Sequence, residues 1–202
     1  MPRNRRPQDP QEKRAQILTV AERLFTDVGY DHTSMAQLAS AAGVTPTTIY
    51  WYFEDKDALL VAVLEQIVAN AVTELAALAE TVLSERALWV VQRLERYQKL
   101  VTVVHSRTAV SPRIDMWHKG FHLLVEGLLA HGLREAGFAE SEIAPRTTLG
   151  VFAVEGLLTH HLDEVGKRAL IKLVTEPTEL VLENEAQAKP AGGSTACCAG
   201  PG

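Results

Sequence analysis

Apolar residues recur every three or four positions along most of the chain, which is the spacing of one face of an α-helix. The first apolar stripe follows Gln11 and consists of Ile17, Val20, Ala21, Leu24 and Phe25. Comparable stripes continue from residue 84 to residue 180, and we find no convincing strand pattern and no internal repeat. The pattern predicts an all-α protein.

Capping residues divide the N-terminal part of this pattern into short helices. Gly29 is a suitable C-terminal stop for the first helix, and Thr33 or Ser34 can cap a second helix that runs to about Ala42. A tight turn at Gly43 is predicted next.

The third and fourth helices have equally clear start signals. Thr45 can cap the third helix, with Pro46 at its first position, and this helix should reach about Phe53. Asp55 caps the fourth, which we expect to run from residue 56 to about Leu83.

Proline and glycine set the predicted boundaries of the later helices. One helix opens at Ser84 and ends at the Ser111-Pro112 pair, and the next ends at Gly137. A further helix is predicted to open at Pro145. Gly166 should separate it from a last helix, which Pro177 should kink or split because proline removes a backbone donor.

The segment 33–56 is the most informative part of the chain. Two short helices joined by a tight glycine turn form a helix-turn-helix, and small residues at 39, 41 and 42 would let them cross closely. Hydroxyl and aromatic side chains then point outward from the second helix, where they can reach base edges or phosphate oxygens. An ordinary helical hairpin with half-buried aromatic residues is the alternative interpretation.

Charge is distributed unevenly along the chain. The net charge is −5, but residues 1–14 carry five basic and two acidic groups, and residues 1–56 carry seven of each. All the excess negative charge therefore lies after residue 56. A basic N-terminal segment followed by an acidic remainder of the chain is typical of a protein whose N-terminal part contacts phosphate.

Residues 12–59 resemble the TetR family of transcriptional regulators. The segment EKRAQILTVAERLFTDVGYDHTSM is similar to the family's first helix and its step into the second. The segment AQLASAAGVTPTTIYWYFEDKDALL is similar to its helix-turn-helix. Three residues differ mildly from the family pattern. Leu38, Thr45 and Thr47 stand at positions where Ile, Ser and Gly, respectively, are commoner in the family.

The resemblance implies a ligand-responsive regulator that is most often a repressor. Its partners would be a palindromic double-stranded DNA operator, a small hydrophobic effector and a second copy of the chain. The recognition helix would face bases, and flanking residues would hold phosphates. The implied DNA-binding residues are Thr33, Ser34, Thr45, Pro46, Thr47, Thr48, Tyr50, Trp51, Tyr52 and Lys56.

The resemblance also implies a three-helix DNA-binding domain over residues 11–55 and a helical ligand-binding and dimerisation bundle over residues 56–185. The last two long helices would form the dimer interface. Apolar and aromatic residues with a few polar neighbours are the pocket candidates. They are Trp89, Leu94, Tyr97, Val101, His105, Trp117, Phe121, His122, Val125, Phe152 and Glu155.

The two ends of the chain have low-complexity or basic compositions. Residues 1–10 are predicted to be a flexible basic arm in which Arg3, Arg5 and Arg6 could reach DNA, and residues 186–202 a disordered tail. Cys197 and Cys198 are expected to be free thiols, with metal capture or redox sensing as the alternative. We expect no membrane span and no secretory signal, and therefore a cytoplasmic protein.

Other functional classes have weaker support. No nucleophile motif, phosphate loop or nucleotide fingerprint appears, so an enzyme is not expected, and neither is a cofactor. His118 and His122 are four residues apart and share a helix face, with Asp115 or Glu126 as possible further ligands. We expect ordinary polar histidines and no metal site, with metal sensing as the alternative. The remaining alternatives to a repressor are an activator and a helical interaction protein without DNA binding.

Overall fold

The computed structural model describes residues 9–160 and 162–177, and within these ranges all regular structure is helical. This confirms the predicted all-α fold. The helices are α1 (Pro10–Asp27), α2 (Met35–Ala41), α3 (Pro46–Tyr52), α4 (Lys56–Ala76), α5 (Leu83–Arg96), α6 (Gln98–Arg107), α7 (Pro112–Glu135), α8 (Glu140–Thr159) and α9 (Glu164–Thr175).

The first four helices begin where side chains satisfy free backbone amides. The Asp9 and Asp55 carboxylates accept from the amides of residues 11 and 58, and the Thr45 hydroxyl accepts from that of residue 48. Ser34 and Gln37 form a reciprocal capping box at α2. The predicted caps of α3 and α4 are thus confirmed to the residue, and of the two candidates for α2 the cap is Ser34.

A glycine makes the sharp turn between α2 and α3 possible. Gly43 has a φ of +63°, a left-handed conformation in which a side chain is unfavourable. The turn brings α3 back against α2, so that Ala39 and Ala42 are buried in the same core as Leu38 and Ile49.

The N-terminal helices share one core with the rest of the molecule. Ile17, Phe25, Leu38 and Ile49 are fully buried together with Leu59 and Leu60 of α4. The same cluster includes buried residues of α6 and α7, namely Leu100, Val104 and Ile114. The helix-turn-helix is therefore packed onto the helical body through α4 and α6.

A second, smaller core joins α5, α8 and α9 through Leu88, Val91, Leu157 and Ile171. Ion pairs reinforce it, since Lys167 Nζ lies 2.6 Å from the Glu95 carboxylate. These contacts tie the C-terminal helices to α5.

Two predicted boundaries in the middle of the chain are wrong. Helix α4 ends at Ala76 and not near Leu83, because residues 77–80 form turns before α5. The helix predicted to run from Ser84 to the Ser111-Pro112 pair is two helices, which meet at Tyr97 with its φ of −106° and ψ of +20°.

Two later boundaries also differ. Helix α8 begins at Glu140, so Pro145 lies inside the helix and does not open it. Gly166 lies in the first turn of α9, where its amide donates to the capping Asp163 carboxylate. Helix α9 ends at Thr175, two residues before Pro177, and the predicted continuation to Leu180 lies outside the described residues, as do residues 1–8 and the tail.

Helix α4 corrects the expectation that no segment approaches a membrane span. Among the described residues, this helix alone is long and apolar enough to cross a membrane by length and composition. Its apolar residues have two partners within the protein. One face, including Leu59, Leu60 and Val63, is buried in the main core, and another lines an internal cavity. Core helices of this kind are apolar on most sides.

Candidate functional site

The outer face of α3 exposes large aromatic side chains. Ile49 is fully buried and anchors the helix, whereas Tyr50 is 53% and Trp51 is 73% exposed. Pro46 and Thr47 are also exposed, and Thr48 and Tyr52 are half-buried. Tyr50 and Trp51 are large neighbouring aromatic side chains that are exposed to solvent and not buried in the core. This surface is therefore suited to a partner outside the chain.

The capping hydroxyls lie at the edge of the same surface. Thr45 Oγ1 lies 2.9 Å from Thr48 Oγ1 and also accepts from the Thr48 amide, so these two hydroxyls hold each other at the start of α3. Ser34 is exposed while its hydroxyl caps α2. Both caps could accept or donate one further bond to DNA without leaving their helix.

Thr33 does not fit its predicted contact with phosphate. Its side chain is 2% exposed, and its hydroxyl donates to the Gly29 carbonyl over 2.8 Å. A buried and already bonded hydroxyl cannot reach a phosphate in this conformation. Thr33 instead holds the turn between α1 and α2, and we correct its role to a structural one.

Lys56 is half-buried and already makes two hydrogen bonds. Its ammonium donates to the carbonyls of Tyr30 and Thr33 over 2.9 and 3.1 Å and lies 4.0 Å from the centre of the Tyr30 ring. Burial lowers the pKa of Lys56 below its usual value. The geometry therefore gives Lys56 a role in fixing the turn before α2, and its contact with phosphate stays a prediction.

A polar cluster connects the helix-turn-helix to α6. The Arg107 guanidinium binds both oxygens of Asp57 over 2.8 and 2.9 Å, and the Tyr30 hydroxyl donates to the same carboxylate. Burial opposes the charge of Asp57, but hydrogen bonds from Arg107, Tyr30 and Ser111 outweigh it and keep the pKa of Asp57 below its usual value. Burial and the bond to Asp57 raise the pKa of Tyr30. We call Tyr30, Asp57 and Arg107 the Asp57 cluster.

A large apolar cavity lies between helices α4 to α8. Its volume of about 170 Å³ is more than ten times the roughly 10–15 Å³ that one water molecule requires. The wall is almost wholly apolar, and its polar groups are Arg93, Glu155 and three histidines. Such a cavity is suited to an organic molecule with a small polar part.

Most of the predicted pocket residues lie on this wall. Those that line the cavity are Trp89, Leu94, Tyr97, Val101, His105, Trp117, Phe121, His122, Val125 and Glu155. Phe152 was wrongly placed, because it is 66% exposed on the outer face of α8, while the neighbouring turns send Val151 and Val154 inward. Whether any of these residues binds a ligand stays a prediction.

The contribution of α4 to the cavity was not predicted from the sequence. Leu64, Ile67, Val68, Ala71 and Leu75 form one wall. The signal was available, because a helix that is apolar around most of its circumference must have partners on more than one side.

Three histidines meet at one side of the cavity. His118 Nε2 and His122 Nε2 on α7 are 3.0 Å apart, and the ring of His105 on α6 packs edge-on against that of His118 with centres 4.9 Å apart. Burial, followed by the neighbouring His122 and His105, lowers the pKa of His118. The proximity of His105 to this pair was not predicted, because spacing along the chain does not show that α6 packs on α7.

The molecule thus combines a helix-turn-helix, whose second helix α3 is exposed, with a helical body that contains a cavity. Comparison with known proteins matches the N-terminal part of the chain to one family. The family model described as "Bacterial regulatory proteins, tetR family" matches residues 17–63. The chain carries the N-terminal domain of the TetR family, and the predicted resemblance is confirmed.

Named relatives match mainly in this domain. The HTH-type transcriptional regulator AcrR of Shigella flexneri is 46% identical over 63 residues, which are 31% of this chain and 29% of AcrR. The HTH-type transcriptional regulator HbdR of Aromatoleum is 33% identical over 110 residues, 52% of this chain and 48% of HbdR. The matched segments span less than half of either relative.

Solved structures extend the likeness in fold to the rest of the chain. Salmonella enterica GusR superposes with a TM-score of 0.66 at 18% identity and covers 84% of this chain and 98% of that one. At this identity the likeness concerns the fold alone, and it includes the helical body as well as the helix-turn-helix.

Proposed function

We propose that the protein is a ligand-responsive transcriptional regulator that binds a palindromic DNA operator as a homodimer and is released by a small hydrophobic effector. The observation that carries this proposal is the exposed face of α3. Tyr50 and Trp51 project from a short, well-capped helix that belongs to a TetR-family domain. Repression fits best, because release by an effector needs no further contact with the transcription machinery.

The contacts with DNA divide by position on the surface. Thr47 and Tyr50 are exposed on α3 and would meet base edges in the major groove, with Pro46, Thr45 and Thr48 beside them. Ser34, Trp51, Tyr52 and Lys56 surround this set and would contact phosphates. The phosphate contacts would position the protein, whereas the base contacts would select the sequence.

The cavity is the proposed effector site. An effector with an aliphatic or aromatic body would remove the apolar walls of α4, α5 and α7 from water. Its polar part would lie toward Glu155 and the histidines, which are grouped at one side, or toward Arg93.

Two connections could carry a change at the cavity to the DNA surface. Helix α4 lines the cavity with Leu64 and Ile67 and begins at the turn after α3. Helix α6 lines it with Val101 and reaches the helix-turn-helix through Arg107 of the Asp57 cluster. A ligand that displaces either helix would shift the two recognition helices of a dimer away from a fixed operator spacing.

The proposed dimer surface is the outer face of α8 and α9. Leu149 and Phe152 of α8 and Leu173 of α9 are large apolar residues that are about half exposed or more in the single chain. Arg146 donates to three carbonyls at the end of α9, which holds the two helices together as one surface. An added Cβ at Gly156 would meet open space, so a partner helix could approach closely there.

The experiment that tests the proposal is a selection of bound DNA from a genomic fragment library at two salt concentrations. We expect enrichment of a short palindrome by the parent chain and its loss in Tyr50→Ala. Tyr50→Phe keeps the ring and separates packing from the hydroxyl contact. Met116→Ala is the matched control, because Met116 is also a large exposed side chain but lies on α7.

Either outcome is informative. A palindrome that the parent and Met116→Ala enrich but Tyr50→Ala does not would support sequence-specific binding through α3. If no sequence is enriched and Tyr50→Ala behaves like the parent, the protein is a helical interaction module that has kept the fold without DNA binding.

A further inference from the structure

The three histidines of the cavity come from two helices, and a carboxylate from a third helix joins them. The ligand nitrogens of His105, His118 and His122 all lie within 4.8 Å of one another. Glu155 Oε1 of α8 lies 3.7 Å from His122 Nε2. These four residues face the same space, and we call them the histidine cluster.

We propose that the histidine cluster binds one divalent transition-metal ion of the Zn²⁺ type, with three imidazole nitrogens and the Glu155 carboxylate as ligands. Three histidines with a carboxylate is a donor set that zinc accepts. The site is distinct from the DNA surface and from the apolar walls that would hold the body of an effector.

The distances are close to those that a metal requires. Zinc ligands at about 2.0–2.1 Å in a tetrahedron place neighbouring donor atoms roughly 3.4 Å apart. The His118 and His122 nitrogens are separated by 3.0 Å and Glu155 lies 3.7 Å from His122. The His105 nitrogen and the Glu155 carboxylate would both move inward to complete the tetrahedron, and both side chains are at least partly exposed and have room to do so.

The arrangement on the helices also favours chelation. Residues four apart on a helix project from the same face, so His118 and His122 of α7 form a ready two-point ligand. A hydrogen bond between two neutral rings would account for their 3.0 Å approach, but it does not account for the third ring, whose ligand nitrogen lies within 4.8 Å of both others. Half-burial at an apolar wall excludes competing water from one side.

A metal here would join α6, α7 and α8. Because α6 carries Arg107 of the Asp57 cluster, metal binding would fix the position of the helix that contacts the helix-turn-helix. An effect on operator affinity rests on the proposed function, whereas metal binding itself does not.

The test is titration of the untagged full chain with ZnCl₂ by calorimetry and with CoCl₂ by visible absorption. The parent should carry Cys197→Ser and Cys198→Ser, because thiolates are strong zinc ligands and would bind metal independently. We expect one ion per chain and the intense visible bands of four-coordinate Co²⁺. His105→Ala should weaken binding by at least about 10–100-fold, and its exposed ring can be removed without opening the core.

His131→Ala is the matched control. His131 lies on the same helix α7 and is exposed, but it pairs with Glu135 over 3.3 Å and is outside the cluster. This variant should bind metal like the parent. Glu155→Gln should retain one ion with weaker affinity and altered cobalt bands.

The proposal is overturned if zinc binds the parent, His131→Ala and the combined His105→Ala, His118→Ala, His122→Ala variant with equal affinity. It is also overturned if metal does not bind while a medium-chain carboxylate such as decanoate binds and loses affinity in the histidine variants. The cluster would then recognise an anionic effector. No DNA is present in these titrations, so failure of the operator selection does not affect them.

Discussion

The two ends of helix α4 are surrounded in different ways. Near its start, Leu59, Leu60 and Val63 are buried in one core with residues of α1, α6 and α7. Further along, Leu64 to Leu75 face a cavity of about 170 Å³. One helix thus passes from a filled core, which fixes the helix-turn-helix, to an unfilled one, which leaves room for a ligand. The difference shows which part of the chain can tolerate changes in side-chain volume.

The largest expected difference comes from shortening a leucine in each region. Leu60→Ala should lower the free energy of unfolding by about 2–5 kcal/mol, because Leu60 is fully buried and its loss leaves a void. Leu128→Ala, on the α7 wall of the same cavity, should cost less than about 1 kcal/mol, because Leu128 already borders the cavity and is 38% exposed. Urea unfolding of both variants measures the contrast, and equal losses would mean that the cavity is filled by repacking in solution.

Asp57→Asn tests the polar cluster that connects the regions. We expect a loss of about 1–3 kcal/mol at neutral pH, since two charge-assisted hydrogen bonds from Arg107 are weakened. The folded-state pKa of Asp57 is depressed, so its contribution is present above the unfolded value of about 3.9 and is lost as the pH falls through the folded value. The stability curves of the parent and variant should therefore converge below about pH 4.

Removing the α3 cap should have a smaller effect. Thr45→Ala should cost about 1 kcal/mol, because the Thr48 amide loses its acceptor, whereas Thr45→Ser should be nearly neutral. Thermal unfolding measures both variants. If Thr45→Ala leaves stability unchanged but weakens operator binding, the hydroxyl acts on DNA and not as a cap.

Filling the cavity should change stability least. Val101→Phe adds volume where space exists, so the free energy of unfolding should change by no more than about 1 kcal/mol. Operator binding should persist while release by an effector is lost. The measurement is DNA affinity with and without a hydrophobic ligand that releases the parent, and undiminished release would place the effector outside this cavity.

The N-terminal helices could be predicted closely because their signals are local. Ser34, Thr45 and Asp55 cap the helices that directly follow them, and Gly43 makes the turn within its own segment. The exposure of Tyr50 also followed from local periodicity, since Ile49 had to point inward. Thr33 was misassigned because burial of its hydroxyl depends on the turn that Lys56 closes from 23 residues away.

The helical body could be predicted only in part because its determinants are distant in sequence. Pro145 lies in the second turn of α8, past the residues whose amides lack a partner within the helix, so α8 accommodates the loss of one backbone hydrogen bond there. Phe152 and Val151 differ in environment only because α7 packs on one side of α8, and His105 joins His118 only because α6 crosses α7. Apolar spacing indicates that such helices are buried, but it does not indicate against which neighbour.

Because α4 contacts both the cavity and the helix-turn-helix, the proposed coupling between effector binding and operator binding is reciprocal. If occupancy of the cavity lowers operator affinity by some factor, operator binding must lower the affinity of the cavity for its ligand by the same factor. A DNA-bound dimer would then respond only at higher ligand concentrations than a free one. The number of operator copies in a cell would therefore help to set the concentration at which the regulator responds.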